Sequence, residues 1–168
     1  LDGATNSDST RTWPGDDATI TTLQAYCSRL VSNDYLKAGD LQKILSAPGA
    51  VCTVNSTTAG TPPVTTVTLS GTSALKVYPV KEIDSTNTIF AVTSNYVYDT
   101  ALNASTAPYG DKGFVVQRKG GDAALLKKNN ATATSGQGAA FQSVVGRKPN
   151  DSDGNPTTGD PTGVLKYP

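Results

Sequence analysis

The chain contains no histidine, no methionine and only two cysteines, one tryptophan and one glutamate among 168 residues. Without imidazole there is no Ser-His-Asp or Cys-His nucleophile, no histidine general base and almost no zinc chemistry. Carboxylate catalysis would have to rest on aspartate, because Glu82 stands alone. Charge is scarce and balanced, with 14 Lys+Arg against 14 Asp+Glu, so no net field draws in nucleic acid or an anionic bilayer. No run of about 18 apolar residues exists to span a membrane. The nucleotide-binding patterns G-x-x-x-x-G-K-[ST] and G-x-G-x-x-G are also missing.

Neutral polar residues fill the space left by charge. Threonine occurs 24 times, glycine 16 and proline 10, while the hydrophobic fraction is 36%. Such residues supply turns, caps and hydroxyl-lined strand faces, the composition of a secreted or cell-surface β-rich module. The length suits one domain, residues 1–168, read as a polar lead-in (1–15), a helical part (16–49) and a β-rich part with loops (53–168).

Asp16 and Asp17 precede Ile20, Leu23, Tyr26, Cys27, Leu30 and Val31, whose spacings of three, four and seven mark one helical face. A second helix is expected through Leu36, Leu41, Ile44 and Leu45, capped by Asn33 or Asp34 and stopped at Ala47-Pro48-Gly49. Strands are expected at 64–69, 75–80, 88–98, 113–118 and 141–145, with Pro79 holding the second to a sheet edge or strand end. Helices first and strands afterwards predict α+β: N-terminal helices packed on an antiparallel sheet, with long Thr/Gly/Asn-rich loops. The ending 163–168 is apolar enough for a last strand.

Cys27 and Cys52 could staple the helical hairpin in an oxidising compartment, stabilising it by about 3.5 kcal/mol on the chain-entropy model. Asp151, Asp153, Asn155 and Asp160 gather oxygen donors around Gly154, which reads either as a solvated turn or as a candidate calcium loop. The segment is not an EF-hand, since Pro156 and Thr162 stand where Gly and Glu belong. Arg118-Lys119 and Lys127-Lys128 form two short basic patches around an apolar 123–126 turn, and Trp13 is expected to plug the core.

The order of these features resembles a known family. Trp13-Pro14-Gly15-Asp16, the helix ending in Asn33-Asp34-Tyr35-Leu36, and the strand Gly113-Phe114-Val115-Val116 look like type II secretion pseudopilins and related type IV pilin-like (prepilin-type) proteins. The resemblance implies a periplasmic or surface head of helix on antiparallel sheet, assembling with copies of itself or related subunits. It also implies an inner-membrane anchor through an N-terminal apolar helix that this chain lacks. The Met-free opening Leu1-Asp2-Gly3 leads us to expect a longer precursor. By that likeness the family's calcium-binding acidic loop maps onto Asp151, Asp153 and Asp160.

The leading expectation is therefore a structural subunit of a filament or secretion pseudopilus, not an enzyme, with no required cofactor and calcium as a candidate ligand. Its expected partners are pilin-like subunits, not nucleic acid. The alternative is a secreted glycan- or protein-binding module using Tyr35, Tyr96, Tyr98 and Tyr109. A carboxylate hydrolase built from Asp34, Asp40, Glu82 and Asp84 ranks last, because no spacing singles out a pair.

Overall fold

The computed structural model describes residues 13–146, 158–160 and 163–168. Two helices, α1 (Leu23–Ser32) and α2 (Ala38–Ile44), lead into a hairpin of β1 (Cys52–Ala59) and β2 (Val64–Gly71). A four-stranded antiparallel sheet follows, made of β3 (Leu75–Val77), β4 (Ile89–Thr93), β5 (Gly113–Arg118) and β6 (Ala123–Lys127) in that spatial order. Helix α3 (Gly136–Val144) comes last. The class is mixed α+β, with two helices ahead of the antiparallel strands and one after them.

Helix α1 starts at Thr22, whose hydroxyl accepts from Ala25 N at 3.1 Å. Asp16 and Asp17 lie in the turn before it. Asp17 accepts from Thr19 and pairs with Arg29 a turn and a half into the helix; the Thr19 hydrogen bonds and then the Arg29 charge hold its pKa below the usual carboxylate value. The helix ends through Asp34, which takes a left-handed φ of 58° so that Tyr35 N can reach back to Leu30 O at 3.0 Å. Asn33 and Asp34 are thus consumed in closing α1. The expected cap of α2 falls instead on Lys37, with no side-chain bond.

The Thr-rich stretch after Val51 is an ordered hairpin, and its first strand has no sequence signature because residues 55–59 are exposed on both faces. The half nearer the body is held by neutral polar side chains. On one edge Gln24 and Ser28, one turn apart on α1, accept from Leu69 N at 3.0 Å and Val67 N at 2.9 Å. On the other edge Gln42 and Ser46 accept from Val54 N and Cys52 N, each at 3.1 Å. Residues i and i+4 of a helix rise about 6 Å, close to the repeat of alternate strand residues, which lets one helical face serve two strand amides.

Strand β4 stops earlier than its apolar run, at Thr93. Asn95 turns inward there and donates to Gly110 O (3.0 Å) and Gly113 O (2.8 Å). Of residues 141–145, expected as a strand, 141–144 belong to α3. Ser135 starts that helix by accepting from Gly138 N at 2.9 Å, and capping overrides the β-branched pair at its end. Val145 does leave in extended form, and bridges Ile89. Residues 123–126, expected as a turn, form β6. Near the C-terminus Leu165 exchanges two 2.8 Å backbone bonds with Val77, so the ending pairs with the outer side of β3. Strand β3 ends before Pro79, as the proline requires.

Two aromatic clusters fill the core. Trp13 meets Phe90 edge-on at 5.2 Å and Phe90 meets Tyr26 of α1 at 6.4 Å. On α3, Phe141 packs at 5.4 Å against both Tyr96 and Phe114, which stack on each other at 4.7 Å. Trp13 is buried, as a plug should be. Its seat depends on Gly15, whose amide bonds Val80 O at 2.8 Å; a Cβ there would come within 2.1 Å of Pro79 O. Gly15→Ala is expected to lower stability by about 2–3 kcal/mol, read as a fall in the urea midpoint, because backbone rather than a flexible side chain must yield.

Candidate functional site

The residues singled out from sequence are scattered by the fold more than they are gathered. Asp151, Asp153 and Asn155 lie outside the described residues. Asp160 is engaged: both its oxygens accept from Lys76 Nζ, at 2.8 and 2.9 Å, and Lys166 Nζ stands 3.9 Å away. A dication at this carboxylate would sit beside two ammonium groups.

Lys76 is an unusual member of a β-strand interior. Its side chain is 2% exposed, with the ammonium 5.7 Å from the Tyr96 ring centre. Burial pulls its pKa down, and the Asp160 charge and hydrogen bonds oppose that shift. Tyr78 and Tyr96 surround the pair, with hydroxyl pKa values raised chiefly by burial. The Tyr96 hydroxyl bonds Gln142 Oε1, and Gln142 Nε2 donates to Asn130 O at 2.8 Å, linking α3 to the chain before it. The cluster ties Asp160, distant in sequence, to β3. Sequence reasoning missed Lys76 because nothing in an alternating strand marks which face is closed.

Cys27 on α1 and Cys52 on β1 are both buried free thiols. Burial first, and the nearby Cys52 second, push the Cys27 thiol up to about 12; Cys52 is raised too, mainly by burial. The two therefore lie within electrostatic reach of each other, across the helix–hairpin junction.

The four tyrosines of the binding-module reading do not make a surface. Tyr96 and Tyr98 are in the core, Tyr35 is half-buried, and Tyr109 is the exposed one. Nor do Asp34, Asp40, Glu82 or Asp84 line the main cavities. A groove of about 810 Å³ runs between residues 104–113, Pro48-Gly49 and the β5–β6 pair, and Asp111 is the one carboxylate lining it among the described residues. An apolar cavity of about 270 Å³ lies between α1, α2 and residues Leu75, Val77, Phe90 and Ala91 of the sheet. The first basic patch is not solvated as expected. Arg118 pairs with Asp122, while Lys119 donates to Glu82 O (2.6 Å) and Asp84 O (3.0 Å) beneath the Trp13 ring. Lys127 and Lys128 are exposed.

The chain matches no family model, no curated protein and no solved structure. Geometry alone therefore describes the site. What it offers is a buried ion pair, a buried thiol pair and an open groove.

Two outcomes follow from the buried groups. Lys76→Met, which leaves the Asp160 carboxylate with the more distant Lys166 in place of its buried partner, should cost about 3 kcal/mol in urea unfolding, whereas Lys76→Met with Asp160→Asn should cost clearly less, since no buried carboxylate has then lost its partner and Lys166 is half-exposed. At pH 8 a thiol with a pKa near 12 stays protonated, so native reduced protein should be inert to a thiol-titrating disulfide reagent, and both thiols should react once it is denatured.

Proposed function

We propose that this chain is the head of a pilin-like or pseudopilin subunit, periplasmic or surface-exposed, that assembles with itself or related subunits. The observation that carries the reading is the placement of Trp13-Pro14-Gly15. The aromatic-Pro step comes before α1, separated from it by a turn over 16–22, and is docked on Phe90 of the sheet and on Val80 O past β3, ahead of an antiparallel meander. A head of this kind lays its N-terminal helices over the sheet, and the Tyr26–Phe90 contact and the cavity shared by α1, α2 and the sheet support that layering.

In the same reading the protein carries no catalytic set, and an N-terminal apolar helix anchors it to the inner membrane before assembly. An oxidising compartment then joins Cys27 to Cys52. Calcium is a candidate ligand of Asp151, Asp153 and Asn155, with Asp160 kept by Lys76. The alternative, a secreted binding module, draws on the groove beside Leu125 and Tyr109 rather than on a tyrosine surface, which favours a protein ligand over a glycan.

The deciding measurement is the gene upstream of the codon for Leu1. An apolar segment of about 20 residues behind a short basic leader with a prepilin-type cleavage site is the expected result. An ordinary cleavable signal peptide, or coding sequence without an apolar helix, would remove the pilin reading and leave the binding module.

A further inference from the structure

Strand edges carry outward N–H and C=O groups that need partners, and this fold covers most of them. The body half of the hairpin is served by Gln24, Ser28, Gln42 and Ser46, and the outer side of β3 by Leu165. The outer half of the hairpin, 55–59 with 64–66, and strand β6 are left open among the described residues. Strand β6 is the one of these in the larger sheet: it is last in the sheet order, and among the described residues nothing bonds to its outer side.

Which of its groups face outward follows from the hairpin that leads into it. Arg118 N donates to Asp122 O at 2.8 Å, and the register then runs Gln117 opposite Ala123 to Gly113 opposite Lys127. Hydrogen-bonded and non-bonded pairs alternate in an antiparallel ladder, so Ala124 and Leu126 bond back to β5. The backbone groups of Ala123, Leu125 and Lys127 point away from the sheet. The same three residues are exposed, and Leu125 is 75% exposed, a large apolar side chain in the middle of an open edge.

We propose that β6 pairs antiparallel with β6 of a second copy of this chain, about a two-fold axis through Leu125, so that the two sheets become one. In this register Leu125 lies opposite the partner's Leu125 and Ala123 opposite the partner's Lys127, and every outward group of the three residues meets another outward group. Just past the two ends of β6, Asp122 before the strand and Lys128 at the start of the 3-10 turn that follows it, the same register brings Asp122 towards the partner's Lys128. Asp122 is 60% exposed with its own Arg118 on one side, and its carboxylate is open to a second cation. Lys127 faces alanine and meets no like charge. A slip of one residue sets outward groups against inward ones, and a slip of two takes Lys128 off Asp122, so backbone and charge select the same register. The pairing is isologous and closes on itself, giving a dimer rather than a fibre. It holds for a pilin head and for a free module alike, and does not rest on the functional reading above.

Sedimentation of the full chain across micromolar to millimolar concentration tests it. A reversible dimer of the 17.3 kDa chain is expected. Asp122→Lys or Lys128→Asp alone should weaken it by about tenfold, and the two together should restore it, since the charges are exchanged and not removed. A short bismaleimide should link Leu125→Cys into dimers and leave Ile83→Cys, 85% exposed but outside the β6 strand, unlinked. A chain that stays monomeric throughout overturns the proposal. So does a dimer that ignores the charge exchange, or one that links equally well through residue 83.

Discussion

The constraint on which this structure depends is that backbone N–H groups at strand edges must find acceptors when a small, charge-poor chain builds two separate sheets. A two-stranded hairpin is marginal alone, and here it is made part of the body by Gln24 and Ser28 on one side and Gln42 and Ser46 on the other. Those bonds fix the distance of α1 and α2 from the hairpin. They also bring Cys27 and Cys52 to the same junction. The abundance of neutral polar residues is thus a structural resource: short hydroxyl and amide side chains complete ladders that charged ones would hold open to water.

The core divides the remaining work between two aromatic groups. Trp13, Phe90 and Tyr26 join the start of the described chain to α1 and β4. Tyr96, Phe114 and Phe141 join β5 to α3, with Gln142 completing the Tyr96 hydroxyl. Beside the second group, against the Tyr96 ring, lies the Lys76–Asp160 pair. A buried ion pair is a weak source of net stability but a strict one in its geometry, because either partner alone is costly. It holds Asp160 to β3 in one arrangement, beside the Val77–Leu165 bridge that pins the chain end. That arrangement also sets the chemistry: Asp160 is a counter-ion.

The fold is closed where α1 and α2 meet the hairpin and open along β6 and the adjoining groove. Neither the groove nor the 270 Å³ cavity gathers a pair of facing carboxylates. Leu125 is the prominent apolar side chain along that open edge.

Several elements were legible in the residues themselves. The three-four spacing from Leu23 to Leu30 marked α1, alternation marked β2, the run Phe114-Val115-Val116 marked β5, and Pro79 marked the end of β3, because each is a local stereochemical rule. The helical cap of α3 was equally local, but the apolar run 141–145 hid it. Strand β1 and the exposed β6 were not legible, since their pairing partners, not their own pattern, make them strands. Burial of Lys76, engagement of Asp160 and Lys119, and the separation of the four tyrosines depended on which face each neighbour closed. The sequence by itself determined the absence of imidazole chemistry, the balance of charge and the order of helices before strands. Only the tertiary structure decided which polar groups are spent inside and which edge is left open, because both are set by contacts between residues far apart in the chain.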